Sequence, residues 1–169
     1  MALSYRLVET SAGAIGIVAS RKGLMRVFLP VGSAAEQIRR VESEFPDARE
    51  DAALLPDLSS DLRRFFAGER VRFKAPFDWS RATSFDAEVW RECSRIRYGC
   101  VESYGSLATR LGRPKAARAI GNAMRRNPCP IVVPCHRVVR SDGSIGGYSG
   151  ELGVSFKKRL LEMEQGDRA

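Results

Sequence analysis

Histidine occurs once in this 169-residue chain, at His136. That scarcity rules out a histidine-built metal site and routes any cysteine–histidine chemistry through a single imidazole. The four cysteines, Cys93, Cys100, Cys129 and Cys135, form no Cys-x-x-Cys pair, so no usual zinc site is spelled out and no metal is expected. No segment approaches the roughly 20 apolar residues that cross a bilayer. Met1 to Arg6 lacks the apolar core of a signal peptide. A cytoplasmic protein is expected, nuclear if the source is eukaryotic, with its cysteines as thiols. There is no internal repeat and no low-complexity tract. Gly143, Gly146, Gly147 and Gly150 lack the strand–helix setting of a nucleotide fingerprint, so no cofactor is expected.

Acidic residues are also scarce in one quarter of the chain. Between Val101 and Arg140, Glu102 stands alone against Arg110, Arg113, Lys115, Arg118, Arg125, Arg126, Arg137 and Arg140. Nearly all of the formal charge of +8 therefore sits there. A charge run alone reads as a solvated face. Its coincidence with a candidate nucleophile points instead to nucleic acid.

That nucleophile lies in Pro130-Ile131-Val132-Val133-Pro134-Cys135-His136-Arg137-Val138. A free thiol, with a pKa of about 8.5, needs a base or a positive field to become a thiolate. His136 and Arg137 can supply both if the fold brings up a carboxylate to orient the imidazole. The flanking prolines predict a buried strand that ends in a rigid turn, with Cys135 at its exit. Side chains adjacent on an extended segment point to opposite faces, so sequence adjacency does not make Cys135 and His136 meet.

Periodicity and punctuation divide the chain. Strands are predicted at 5–8, 14–18, 24–29 and 71–73, and helices at 34–45 and 58–66, with a loop from Pro46 to Pro56. This is a small α/β domain, residues 1–78, with Pro76 to Ala82 as the linker. Residues 79–169 read as mostly helical. Thr83 or Ser84 caps a helix carrying Phe85, Val89, Cys93 and Ile96. Ser103 opens a second, and Lys115 to Arg126 forms a third after the Gly112-Arg113-Pro114 turn, giving a helix-turn-helix. Small residues along that third helix allow close approach to a groove or to another helix. Phe156 to Gln165 closes the chain as a helix.

Several of these stretches together resemble one family. They are Thr83-Ser84-Phe85, Ser103-Tyr104-Gly105, Ala116-Ala117-Arg118-Ala119-Ile120-Gly121, Asn127-Pro128, Pro134-Cys135-His136-Arg137-Val138, Gly147-Tyr148-Ser149-Gly150 and Leu160-Leu161-Glu162-Met163-Glu164. In order and spacing they look like the methylated-DNA–protein-cysteine methyltransferases, the O6-alkylguanine-DNA alkyltransferases. The resemblance implies a ribonuclease-H-like N-terminal domain and a winged-helix-like C-terminal domain. It implies irreversible transfer of an alkyl group from O6-alkylguanine in duplex DNA to Cys135, once per molecule. O4-alkylthymine is a further candidate substrate. His136 would act as base through a bound water, oriented by Glu164, and Asn127 would hold the adjoining turn. Tyr104 would donate toward the base and help turn the nucleotide out, while Arg118 fills the gap in the duplex from the minor groove. Ser103, Lys115, Ala117, Ala119, Arg125 and Arg137 would contact DNA. Pro130, Val138, Tyr148, Ser149 and Gly150 would line the guanine pocket. The implied partner is alkylated double-stranded DNA, met by a monomer without membrane or small-molecule cofactor; clustering along DNA stays open. Asp86 departs from the family's usual Gln. Two other classes stand beside this reading: a damage-binding protein without transfer, and a cysteine–histidine hydrolase.

Overall fold

The computed structural model describes residues 2–148 and 152–166. The chain divides into two compact units, Met1–Arg81 and Ala82–Ala169. Among the described residues are a four-stranded mixed sheet, a two-stranded parallel ladder and six α-helices.

In the first unit, β1 (Leu3–Thr10), β2 (Gly13–Ser20) and β3 (Gly23–Phe28) form an antiparallel meander. A short β4 (Arg49–Glu50) adds parallel to β1, giving the order β3-β2-β1-β4. β4 lies inside the stretch expected to be loop. Two charged residues carry no alternating pattern, so only pairing with β1 defines it. β2 is buried along nearly its whole length, as a strand must be when both faces of its sheet are covered. Tyr5, Val18 and Phe28 pack with Val41 and Phe45 of the α1 (Ala34–Glu44) segment, while Ile15 and Ile17 point the other way and are equally buried. Ser33 starts α1 with a capping box: its hydroxyl accepts from the Glu36 N–H, and its own N–H donates to Glu36 Oε2 at 2.6 Å. α2 (Pro56–Phe66) begins with proline at its first turn and packs on β1 through a face that buries Leu58, Leu62 and Phe65.

The strand expected at 71–73 does not form. Pro76 and Phe77, not these residues, reach the β3 edge: Leu24 N–H donates to the Pro76 carbonyl at 2.8 Å, and Asp78 N–H to the Leu24 carbonyl at 2.9 Å. The apolar Val-x-Phe alternation here serves burial of Val71 without a ladder partner.

In the second unit, Thr83 caps α3 (Ser84–Cys93), which is shorter than expected, with Ile96 buried beyond its end. β5 (Glu102–Ser103) leads directly into α4 (Tyr104–Arg110), and Ser103 caps that helix by accepting from the Ser106 N–H at 2.9 Å. α5 (Ala117–Arg125) buries Ile120, Ala123 and Met124. It is fixed to α3 from both ends of that helix: Trp90 Nε1 donates to the Ala123 carbonyl at 2.9 Å, and Arg126 forks onto Asp86 at 2.7 and 2.9 Å. The residue at the departure position 86 is thus the carboxylate half of a bidentate pair.

The buried strand expected before Cys135 is absent. Asn127 to Pro134 is a folded turn in which Pro130 bridges Val133 and Ile131 takes a left-handed φ of 74°. Two prolines deny a ladder its donors, and the apolar run is buried by folding back on itself. A single 3-10 turn, Cys135–Arg137, follows, and then β6 (Val138–Val139) pairs parallel with β5. The unit closes with α6 (Gly153–Gly166).

Ile120, on the buried face of α5, is completely buried. Ile120→Ala is predicted to destabilise the protein by about 2–5 kcal/mol, read as a lower urea midpoint with an unchanged m-value.

Candidate active site

The 3-10 turn decides how Cys135 and His136 relate. On a strand they would face apart; in the turn both are turned inward, Cys135 at 5% exposure and His136 at 0%. His136 Nε2 lies 2.7 Å from Glu164 Oε1. Arg137, the next residue, aims its guanidinium at the same carboxylate, with Nε 3.0 Å from Oε2 and Nη2 3.0 Å from Oε1. Its Nη1 donates to the Ile96 carbonyl at 2.7 Å. Gly99 N–H completes the ring around Glu164, 3.0 Å from Oε2.

These contacts set the charges. Burial alone would raise the Glu164 pKa, but the hydrogen bonds and positive charges of His136 and Arg137 win and hold it down at about 2. Burial lowers the His136 pKa, against the pull of Glu164. A neutral ring beside a carboxylate carries its proton on Nε2 and leaves the Nδ1 lone pair as the base.

Burial also raises the Cys135 pKa, so the resting group is a thiol. The Asn127 side chain, the positive charge of Lys157 and the Tyr148 hydroxyl oppose that rise. Asn127 reaches this position because its amide is clamped in the preceding turn. Its Nδ2 donates to the Val133 carbonyl and its Oδ1 accepts from the Cys129 N–H, both at 3.0 Å. Lys157 is fully buried, its Nζ donating to the carbonyls of Val138 at 2.6 Å and Gly147 at 3.3 Å. Desolvation lowers its pKa to about 8, so it stays mostly cationic at neutral pH.

Cys135 opens into a pocket of about 580 Å³ whose walls include Tyr104, Arg118, Arg125, Arg140 and Tyr148. The β5–β6 ladder brings Tyr104 here, since Ser103 pairs with Val139 just after the cysteine turn. Burial raises the Tyr104 pKa, so its phenol keeps its proton. Ala117, Gly121 and Asn122 bring the first turns of α5 to the same rim. Among the described residues no group of three or more potential metal ligands occurs.

A thiol above a pocket, a base held by a buried carboxylate and a basic helix at the rim leave the comparison with known proteins to decide the family. The constitutive methylated-DNA–protein-cysteine methyltransferase of Bacillus subtilis is 34% identical over 161 residues, covering 95% of this chain and 94% of that protein. The chain belongs to the methylated-DNA–protein-cysteine methyltransferase family. The family's sequence model described as "6-O-methylguanine DNA methyltransferase, DNA binding domain" matches residues 84–166. The methyltransferase of Methanosarcina acetivorans is 34% identical over 95% of this chain and 97% of its own. The crystal structure of Mycobacterium tuberculosis O6-methylguanine methyltransferase superposes with a TM-score of 0.81 at 32% identity, covering 99% of this chain and 94% of that one. A structure of the M. tuberculosis protein in complex with DNA gives a TM-score of 0.77 at 33% identity, over 96% and 93%.

Within this methyltransferase the expected residues fall into three groups. Cys135, Tyr104, Arg118, Ala117, Arg125 and Tyr148 share the pocket, and His136, Glu164 and Asn127 lie buried around Cys135 and its turn. Lys115 and Ala119 are exposed, and Ser103 is the α4 cap. Arg137 is corrected. Arg137 is 5% exposed and spends its guanidinium on Glu164 and Ile96, so it cannot double as a DNA contact. Pro130 belongs to the folded turn, and Val138 is wholly buried in β6; neither is among the pocket walls described above. Ser149 and Gly150 lie outside the described residues. Lys157 was not expected, and Arg140 was expected only as one charge of the basic stretch, not as a wall of the pocket. Lys157 shares the buried stripe of α6 with Leu160, Leu161 and Glu164, and a lysine at i, i+3, i+4, i+7 spacing with apolar residues is the signal that could have found it.

Two predictions follow from the charges. A carboxylate depressed to about 2 contributes stability above its unfolded value and loses it as pH falls toward 2. Glu164→Gln leaves the buried Arg137 without its partner and should cost about 3–5 kcal/mol at neutral pH. That difference should narrow below about pH 4, read from urea midpoints across pH. Removing the Lys157 cation raises the Cys135 pKa further. Lys157→Met should therefore slow thiol alkylation at pH 7 and move the rise of the rate–pH profile to more alkaline pH.

Proposed function

We propose that this protein repairs DNA by taking the alkyl group of O6-alkylguanine in duplex DNA onto Cys135. The observation that supports this reading is the Cys135 thiol in the wall of a pocket rimmed by α5, followed in the same turn by a neutral imidazole held by Glu164. A cysteine–histidine hydrolase would need the same pair but gives no reason for the arginines at the rim. A damage binder would need no acceptor thiol.

The steps follow from the groups present. The alkylated base is turned out of the stack into the pocket, which costs a few kcal/mol, and Arg118 on α5 fills the vacated space from the minor groove. His136 Nδ1 takes the thiol proton, in this family through a water, and Glu164 holds the resulting imidazolium. Lys157, Asn127 and Tyr148 favour the thiolate. Sulfur attacks the alkyl carbon in line with the O–C bond; the S–C bond forms as O–C breaks. The electron pair left on the purine is neutralised by a proton that the Tyr104 phenol gives to a ring nitrogen; the phenolate then regains a proton from solvent and the His136 imidazolium releases the thiol's proton to solvent, so the charges balance. The products are guanine and an S-alkyl cysteine. A thioether is not reversed by thiol exchange, so each molecule acts once. The same displacement is open to O4-alkylthymine.

The ribonuclease-H-like and winged-helix-like descriptions of the two units, action as a monomer and a cytoplasmic location belong to the same proposal. Among the described residues no helix is long and apolar enough to cross a membrane.

The deciding experiment uses duplex DNA with one O6-methylguanine and reads intact and tryptic masses. One methyl per protein, on the Cys135 peptide, with no second turnover is expected. Cys135→Ser should still bind the duplex and gain no mass. Tyr104→Phe should slow transfer by about 10²–10⁴-fold, the usual range for loss of a positioned proton donor. Catalytic turnover, or binding by the native protein without transfer, would overturn the reading.

A further inference from the structure

We propose that Arg125 and Arg140 form a two-pronged clamp for a backbone phosphate of the extruded nucleotide, with Arg140 as a DNA-binding residue supplied by the loop opposite the recognition helix. This rests on the duplex-DNA reading of the same pocket.

The two arginines come from distant elements. Arg125 is the last residue of α5, and Arg140 follows β6. Their side chains converge on Gly146 and Gly147. A Cβ built on Gly146 would lie 3.4 Å from Arg140 Cγ and 3.7 Å from its Nε, and 3.6 Å from the Tyr104 ring; one built on Gly147 would lie 4.0 Å from Arg125 Nη2. Two consecutive residues without side chains thus let two guanidiniums approach the same short stretch of backbone beside Tyr104. Gly146 has φ +72°, which favours glycine on conformational grounds as well.

Arg140 is exposed at its side chain and anchored at its backbone. Its N–H donates to the Ser144 carbonyl at 2.9 Å, and its carbonyl accepts from Gly143 N–H at 3.0 Å, closing a tight turn. Its guanidinium makes no hydrogen bond or ion pair among the described residues, and the same holds for Arg125. Asp142 is the acid on this wall; its Oδ1 accepts from the Ser144 N–H at 2.9 Å, and it feels the Arg140 charge, which helps to lower its pKa, without forming an ion pair with either arginine among the described residues. Both guanidiniums nonetheless act on the Tyr104 phenol, whose pKa they pull down against burial.

Two like charges held near one another at a pocket mouth repel unless an anion sits between them, and guanidinium forks match phosphate geometry. The base that enters this pocket must bring its own phosphates to the mouth. The clamp therefore recognises the turned-out state itself, and not the sequence around it.

A cycle of paired changes in protein and DNA tests this. Duplexes carry one O6-methylguanine with natural phosphates, or with an uncharged methylphosphonate on the 5′ or the 3′ side of that nucleotide. Arg140→Ala should weaken binding of the natural duplex about ten- to hundredfold and flatten the slope of log K against log salt by about 0.9. Arg140→Lys should keep most of that slope. At one flank the methylphosphonate should weaken the wild type more than it weakens Arg140→Ala, in which Arg125 alone still holds the phosphate, and should weaken the Arg125→Ala/Arg140→Ala double variant by less than about threefold, since a contact already lost cannot be lost twice. Multiplicative losses at both flanks, or an unchanged salt slope, would overturn the clamp. Methylation of wild-type Cys135 by the natural duplex is read separately by mass. Its absence would overturn the repair reading, whereas methylation together with multiplicative losses would overturn the clamp alone.

Discussion

The active site depends on one buried carboxylate. Glu164 accepts from the Gly99 N–H, the His136 ring and the Arg137 guanidinium, three donors brought by two stretches of chain far from α6 in sequence. A carboxylate out of water is costly, and here the cost is offset only because its acceptor sites are filled with good geometry. Every consequence for chemistry follows from that satisfaction. The carboxylate stays ionised, so the imidazole proton stays on Nε2. The imidazole stays neutral, so Nδ1 remains a base. Arg137 is consumed in the process and sets the orientation of the turn that carries Cys135.

Around that anchor the protein keeps its nucleophile quiet. Burial favours the Cys135 thiol, and the three neighbours that favour thiolate do not overcome it at rest. Such a balance suits a group that can be used once. A standing thiolate would be consumed by any electrophile small enough to enter, whereas a buried thiol is not. Lys157 shows the same compromise from the other side: its cation helps the thiolate, and desolvation holds that cation near the edge of losing its proton.

Much of this was legible in the residues. The meander of β1 to β3, both N-terminal helices and the capped α4 followed from periodicity and capping residues. What escaped was whatever depends on partners remote in sequence. β4 has no pattern of its own and exists through β1. Val71 to Phe73 has a strand's pattern and no available edge. Pro130 to Val133 has a buried strand's composition, but its prolines and the left-handed Ile131 make it a turn, which is why Cys135 and His136 both face inward. Arg137 looked like one more positive charge in a basic run. No local rule distinguishes a guanidinium in solvent from one forked onto a carboxylate 27 residues later.

The placement of Lys157 and Glu164 on α6 has a consequence for synthesis. On the ribosome the thiol emerges long before the helix that equips it. A nascent chain that has reached Tyr148 contains Cys135, its histidine and the whole recognition helix, yet has neither the carboxylate that fixes the imidazole tautomer nor the cation beneath the pocket loop. The site is therefore equipped only once α6 has been made and packs against the cysteine turn. Fragments that stop short of α6 carry the acceptor residue without the carboxylate and the cation that equip it.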